Sequence, residues 1–123
     1  MKSWAMLLAL LCAVPGIAAS AAAGERLPLR VLYVGDNPAR SDEYASFLRS
    51  HFATVTVAKR TGFDPAAARD ADVVLLDWSQ SETQVTAARS PFGKCEDWSR
   101  PTVLLGSAGL LMAGQWQIIG GAG

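Results

Sequence analysis

The residues of this sequence that could do chemistry stand just after runs of apolar residues. Asp36 and Asn37 follow Val31-Leu32-Tyr33-Val34, Asp77 follows Val73-Val74-Leu75-Leu76, and Ser107 follows Thr102-Val103-Leu104-Leu105 by one glycine. A carboxylate in such a place can hold a cation, accept a phosphoryl group or move a proton. A serine can attack a carbonyl if a base stands beside it. An asparagine amide offers both donors and acceptors to a polar ligand. If the apolar runs are strands of one parallel sheet, these residues share its carboxyl edge, where open α/β sheets bind ligands. Asp36, Asn37, Asp77 and Ser107 are therefore the predicted ligand-binding set, with Ser107 the one candidate nucleophile. Each also has a plainer role. Asp36 and Asn37 suit a helix cap, Asp77 a strand-end turn, and Ser107 a tight turn in which Gly106 and Gly109 allow close packing.

Other reactive side chains point to less. His51, the single histidine, falls on an apolar helical stripe and reads as a packing or helix-end residue. Beyond the first 23 residues Cys95 is the only cysteine, so no internal disulfide can form there and a free thiol is predicted. One histidine and one such cysteine give no zinc-type ligand set, and no glycine-rich dinucleotide motif follows the first apolar run. No metal and no cofactor are expected. The 11 basic and 11 acidic residues cancel, which does not favour a nucleic-acid partner. A small polar ligand or a protein partner remains the expectation.

The elements that must position these residues alternate. Leu29–Val34 reads as a strand buried on both faces, as parallel sheets require. Asn37-Pro38 starts a helix, with asparagine as N-cap and proline in the first turn, and Tyr44, Phe47, Leu48 and His51 repeat at helical spacing. Thr54–Ala58 reads as a second strand, Pro65–Arg69 as a short helix capped by Asp64, and the region Ala71–Asp77 as the third strand. Glu82–Arg89 is predicted helical, Ser90–Arg100 a polar loop, Thr102–Leu105 a fourth strand, and a helix begins near Leu110. Ile118-Ile119 could open a fifth strand. Alternating strands and helices imply an α/β domain with parallel pairing. Its expected form is a flavodoxin-like, three-layer domain with strand order 2-1-3-4.

The chain begins with a different composition. Lys2 precedes the uncharged apolar run Trp4–Val14, Pro15-Gly16 breaks it, and Ala19-Ser20-Ala21 and Ala21-Ala22-Ala23 offer small-x-small cleavage patterns. Residues 1–23 thus read as a signal peptide, and 24–123 as the exported domain, periplasmic or secreted, meeting the membrane only through the leader before cleavage. Gly120-Gly121-Ala122-Gly123 reads as a loop, so the domain is expected to be truncated after its fourth or fifth strand.

Three stretches carry a family resemblance: Val34-Gly35-Asp36-Asn37-Pro38-Ala39-Arg40, Ala71-Asp72-Val73-Val74-Leu75-Leu76-Asp77-Trp78, and Pro101-Thr102-Val103-Leu104-Leu105-Gly106-Ser107-Ala108-Gly109. Together they resemble the type 1 glutamine amidotransferase-like superfamily, and within it the ThuA-like exported proteins. The resemblance implies the first part of such a domain. It places Ser107 where true amidotransferases carry a cysteine on a Gly-x-Cys-x-Gly elbow, with Leu105 in place of the first glycine and Gly109 matching the second. Its implication is binding without amidotransferase activity. A hydrolase using Ser107 is the enzyme alternative. Val74-Leu75-Leu76-Asp77-Trp78 also resembles the phosphoacceptor strand of response-regulator receiver domains, which would make Asp77 the phosphorylated residue, Asp36 a magnesium ligand and Ser107 the switch hydroxyl.

Overall fold

The structure is a computed structural model, and it describes residues 24–79 and 89–118. Four strands form one all-parallel sheet: β1 (Leu27–Val34), β2 (Phe52–Ala58), β3 (Val73–Trp78) and β4 (Thr102–Gly106). Their order is β2-β1-β3-β4, the order of the flavodoxin-like form expected from the sequence. Among the described residues two helices accompany them, α1 (Pro38–His51) and α2 (Ala108–Gln115), with 3-10 turns at Pro65–Ala68 and Cys95–Asp97. The domain is thus α/β. The predicted helix at Glu82–Arg89 and the leader lie outside the described residues, apart from Arg89, which is exposed and not helical. The proposed fifth strand does so in part. Ile118 is described and is not a strand residue, its N–H closing the end of α2 on Ala113 O at 3.0 Å.

The pleat sends alternate side chains to two faces. Val31 and Tyr33 of β1 pack with Leu48 of α1, and half-buried Val55, Val73, Leu75 and Leu105 border that cluster. On the other face Leu32, Val34, Val74, Leu76 and Trp78 form the larger core with Ala68, Phe92, Ala108, Leu111 and Met112. β1 sits between β2 and β3, paired Val34↔Ala58 on one side and Val34↔Leu76 on the other, so its last residues are wholly enclosed. This registration brings the carboxyl ends of β1 and β3 together.

Helix α1 starts as its sequence dictates. The Asn37 side chain accepts from the Arg40 N–H at 3.1 Å, and Pro38 occupies the first turn. The face it buries differs from the apolar stripe. Ser41, Ala45 and Leu48 turn inward, while Tyr44 is half-buried and Phe47 is 61% exposed, tilted against His51 at 4.7 Å. Small residues let a helix lie close to a sheet, so the inward face is not the one with the largest side chains. The loop before β4 is also less polar than its composition suggests. Phe92 is fully buried, stacked on Trp98 at 4.0 Å and edge-on to Phe63 at 5.6 Å.

Candidate functional site

The carboxyl edge carries two carboxylate clusters, one on each face of the sheet. Asp77 lies two residues beyond Leu75 and so points to the α1 face. Its Oδ2 accepts from the Tyr33 hydroxyl at 2.6 Å and from Arg40 Nε at 2.9 Å, and its Oδ1 accepts from Arg40 Nη2 at 2.8 Å. That is a bidentate guanidinium–carboxylate fork with a third donor, the strongest arrangement of its kind. The cap at Asn37 explains it, because holding the Arg40 N–H fixes the first turn of α1 over the end of β3. Tyr33 stacks on Tyr44 at 5.5 Å, and Arg40 lies over the Tyr44 ring at 5.5 Å. Burial would raise the Asp77 carboxyl, but the Arg40 and Tyr33 hydrogen bonds and the Arg40 charge outweigh it and hold it below its ordinary range. Burial and the bond to Asp77 push the Tyr33 phenol up, so that hydroxyl is a fixed donor.

Asp36 belongs to the other cluster. Its Oδ1 accepts from the Thr61 N–H at 2.9 Å, and its Oδ2 from the Thr61 hydroxyl at 2.6 Å and from Arg60 Nη2 at 2.8 Å. Arg60 follows β2, and its guanidinium carbon lies over the Trp78 indole, 3.8 Å from the ring centroid. Burial opposes ionisation of Asp36, but the Thr61 bonds and the Arg60 charge prevail and lower its pKa. Arg60 Nε and Trp78 Nε1 are buried and have no hydrogen-bond partner among the described residues. Asp36 also borders an open cleft of about 310 Å³ on the α1 side of the sheet, between Pro38, Ser41 and Asp42 of α1 and Val57, Ala58 and Lys59 at the end of β2; neither Arg60 nor Trp78 lines it.

Ser107 sits between β4 and α2. Its N–H donates to Trp78 O at 2.7 Å, and its carbonyl accepts the Leu111 N–H at 3.2 Å. The left-handed residue of this turn is Gly106, at φ 64°, where a Cβ would stand 2.5 Å from Trp78 O. Ser107 itself has φ −73° and ψ −7°, is 7% exposed, and makes no side-chain capping bond. His51 ends α1 next to the start of β2, at the opposite edge of the sheet from Ser107. Cys95 is exposed in the 3-10 turn.

The four predicted residues therefore share one edge but not one pocket. Asp77 and Asp36 are drawn to opposite faces by separate arginines, Asn37 is engaged as the α1 cap, and Ser107 adjoins Trp78 through backbone. Arg40, Arg60, Tyr33 and Trp78 are the functional neighbours that pattern reading missed. Among the described residues no three His, Cys, Asp or Glu side chains gather as a metal site would require. No helix among them is long and apolar enough to cross a membrane. No family model, curated protein or solved structure matches the chain.

Proposed function

We propose that the chain is an exported, ThuA-like member of the glutamine amidotransferase-like class that binds a small polar ligand or a partner and does not hydrolyse glutamine. The observation that carries the binding reading is the state of the two acids. Each carboxylate is held ionised by an arginine and further donors, as in a preorganised recognition edge, whereas a general acid or base needs a proton it can exchange near neutral pH. The strand order and the strand–Gly106–Ser107–helix turn support the superfamily assignment, and the apolar run after Lys2 supports export.

The two enzyme-like alternatives find less support. A receiver-type mechanism needs a divalent cation on the acids, but all four carboxylate oxygens of Asp36 and Asp77 already accept hydrogen bonds, and each acid faces a guanidinium. Such a donor set does not fit a cation. A Ser107 hydrolase needs a base within hydrogen-bond reach of its hydroxyl, and among the described residues none is paired with it.

Incubating the protein with glutamine should release no ammonia, and acetyl phosphate with Mg²⁺ should leave its mass unchanged. Ammonia release lost in Ser107→Ala, or a phosphoryl adduct lost in Asp77→Asn, would overturn the reading. The exported protein should begin at Ala22 or Gly24 by mass spectrometry, since both follow a small-x-small pattern. A membrane-bound form that keeps residues 1–14 would refute the leader.

A further inference from the structure

We infer that the cleft between α1 and the end of β2 is a recognition site for a small zwitterion, with Asp42 taking its ammonium group and Lys59 its carboxylate. The inference deepens the binding reading above and rests on it. The cleft opens at the carboxyl edge of the sheet, where α/β domains hold ligands, and its volume of about 310 Å³ lies at the small end of ligand sites. Its two walls carry opposite charges. Asp42 stands on α1, and Lys59 stands directly after β2. Both are exposed, and neither has an ion-pair or hydrogen-bond partner among the described residues. The acids at the strand ends differ, for Asp36, Asp72 and Asp77 each meet an arginine at 2.8 or 2.9 Å.

The lining selects a molecule with both charges. An anion alone would meet Lys59 but also face Asp42, and a cation alone would meet Asp42 but also face Lys59. Asp36, at the rim, adds no open demand, because Thr61 and Arg60 already occupy its two oxygens. Val57 is 40% exposed and Pro38 is exposed, so the same cleft offers apolar surface to a short carbon chain carrying the two groups. A direct bond between Lys59 and Asp42 would be a solvated surface pair. Such pairs contribute little, so a ligand that meets both charges displaces nothing strong.

Titration of the full chain with γ-aminobutyrate, followed by ¹H–¹⁵N spectra, should move the Gly35, Ser41, Asp42 and Lys59 amides saturably. Acetate and propylamine, each carrying one of the two charges, should bind at least about tenfold more weakly, because joining the groups makes the second contact intramolecular. Asp42→Asn and Lys59→Gln should each weaken the zwitterion about tenfold. The exchanged double variant, Asp42→Lys with Lys59→Asp, should recover the binding, which a merely structural role for either residue would not produce. Acetate or propylamine binding as well as the zwitterion would overturn the inference, and so would a double variant no better than the single ones. A saturable shift confined to the Asp77, Trp78 or Ser107 amides would overturn it and leave the binding reading standing. Absence of any shift would overturn this inference alone, since ammonia release and phosphoryl transfer test the binding reading separately.

Discussion

The two faces of the sheet answer the same problem, a carboxylate at a strand end, in different ways. On the α1 face Asp77 is closed: side-chain exposure is 3%, and Tyr33 and Arg40 use both oxygens in a single compact network. On the other face Asp36 keeps 21% side-chain exposure, and its arginine lies over a tryptophan. The first cluster is built as a strut tying helix α1 to β1 and β3. The second joins the loop after β2 to the ends of β1 and β3 through Asp36, Arg60, Thr61 and Trp78. Identical residue types thus end up closed or partly open to solvent according to which side of the pleat they fall.

Removing Asp77 should have the largest effect. Asp77→Ala leaves the buried Tyr33 hydroxyl without an acceptor, and a loss of about 2–3 kcal/mol is expected, read as a lower urea midpoint with unchanged slope. An unchanged midpoint would mean that the strut carries no weight.

Asp36→Ala should cost less, about 1 kcal/mol, because the Thr61 groups it releases are exposed and can turn to water, and Asp36 itself is partly open to solvent. If its effect on the midpoint equals or exceeds that of Asp77→Ala, the contrast between the faces is wrong.

Acid should separate the faces further. Both acids have folded pKa values below their ordinary range. Their stabilisation is therefore complete above the unfolded value near pH 4 and is lost as pH falls through the folded values. Stability measured from about pH 5 downward should fall in the wild type, and Asp77→Asn should flatten that slope. An unaltered slope would show that Asp77 titrates normally.

The smallest effect is expected at a third pair. Arg30 and Asp72 meet at 2.9 Å on the amino side of the sheet, Arg30 exposed and Asp72 half-buried, and the Arg30 bonds hold the Asp72 carboxyl down at about 2. Such pairs contribute little, so Arg30→Ala should leave the urea midpoint unchanged. A drop comparable with that of Asp36→Ala would show that exposure does not rank these clusters.

The parts of this molecule written in local chemistry were readable from the chain. Uninterrupted apolar runs marked β1, β3 and β4, and Asn37-Pro38 and Asp64-Pro65 marked helical starts, because caps act over three or four residues. Alternation gave parallel pairing, and the strand order was that of the flavodoxin-like form expected for it. Parts that depend on distant partners were not readable. Arg40 and Asp77 are 37 residues apart, and nothing near either specifies the other. Phe92 lies among prolines, glycines and charges, so its burial is visible only once Phe63 and Trp98 are in place around it. The inward face of α1 was hidden because Ser41 and Ala45 carry little hydrophobic signal, while Phe47 carries much and stays outside. The candidate residues were placed at the right edge, yet the division between faces depends on the register of β1 with β3 and on two arginines.

The central place of β1 also has a consequence in time. Parallel neighbours cannot close through a hairpin, so each pairing waits for a crossover and for the entropy of closing it. The segment from β1 through α1 to β2 spans Leu27–Ala58 and forms contacts at the shortest separations. The bond from Tyr33 to Asp77 joins residues 44 positions apart. During synthesis or refolding, the β3 side of β1 therefore stands bare after its β2 side is covered. For that interval Val31–Val34 exposes an apolar strand edge, and Arg40 must hold its position over a strand that has not yet arrived. Folding of this domain should consequently be slow for its size, with speed governed by the docking of β3.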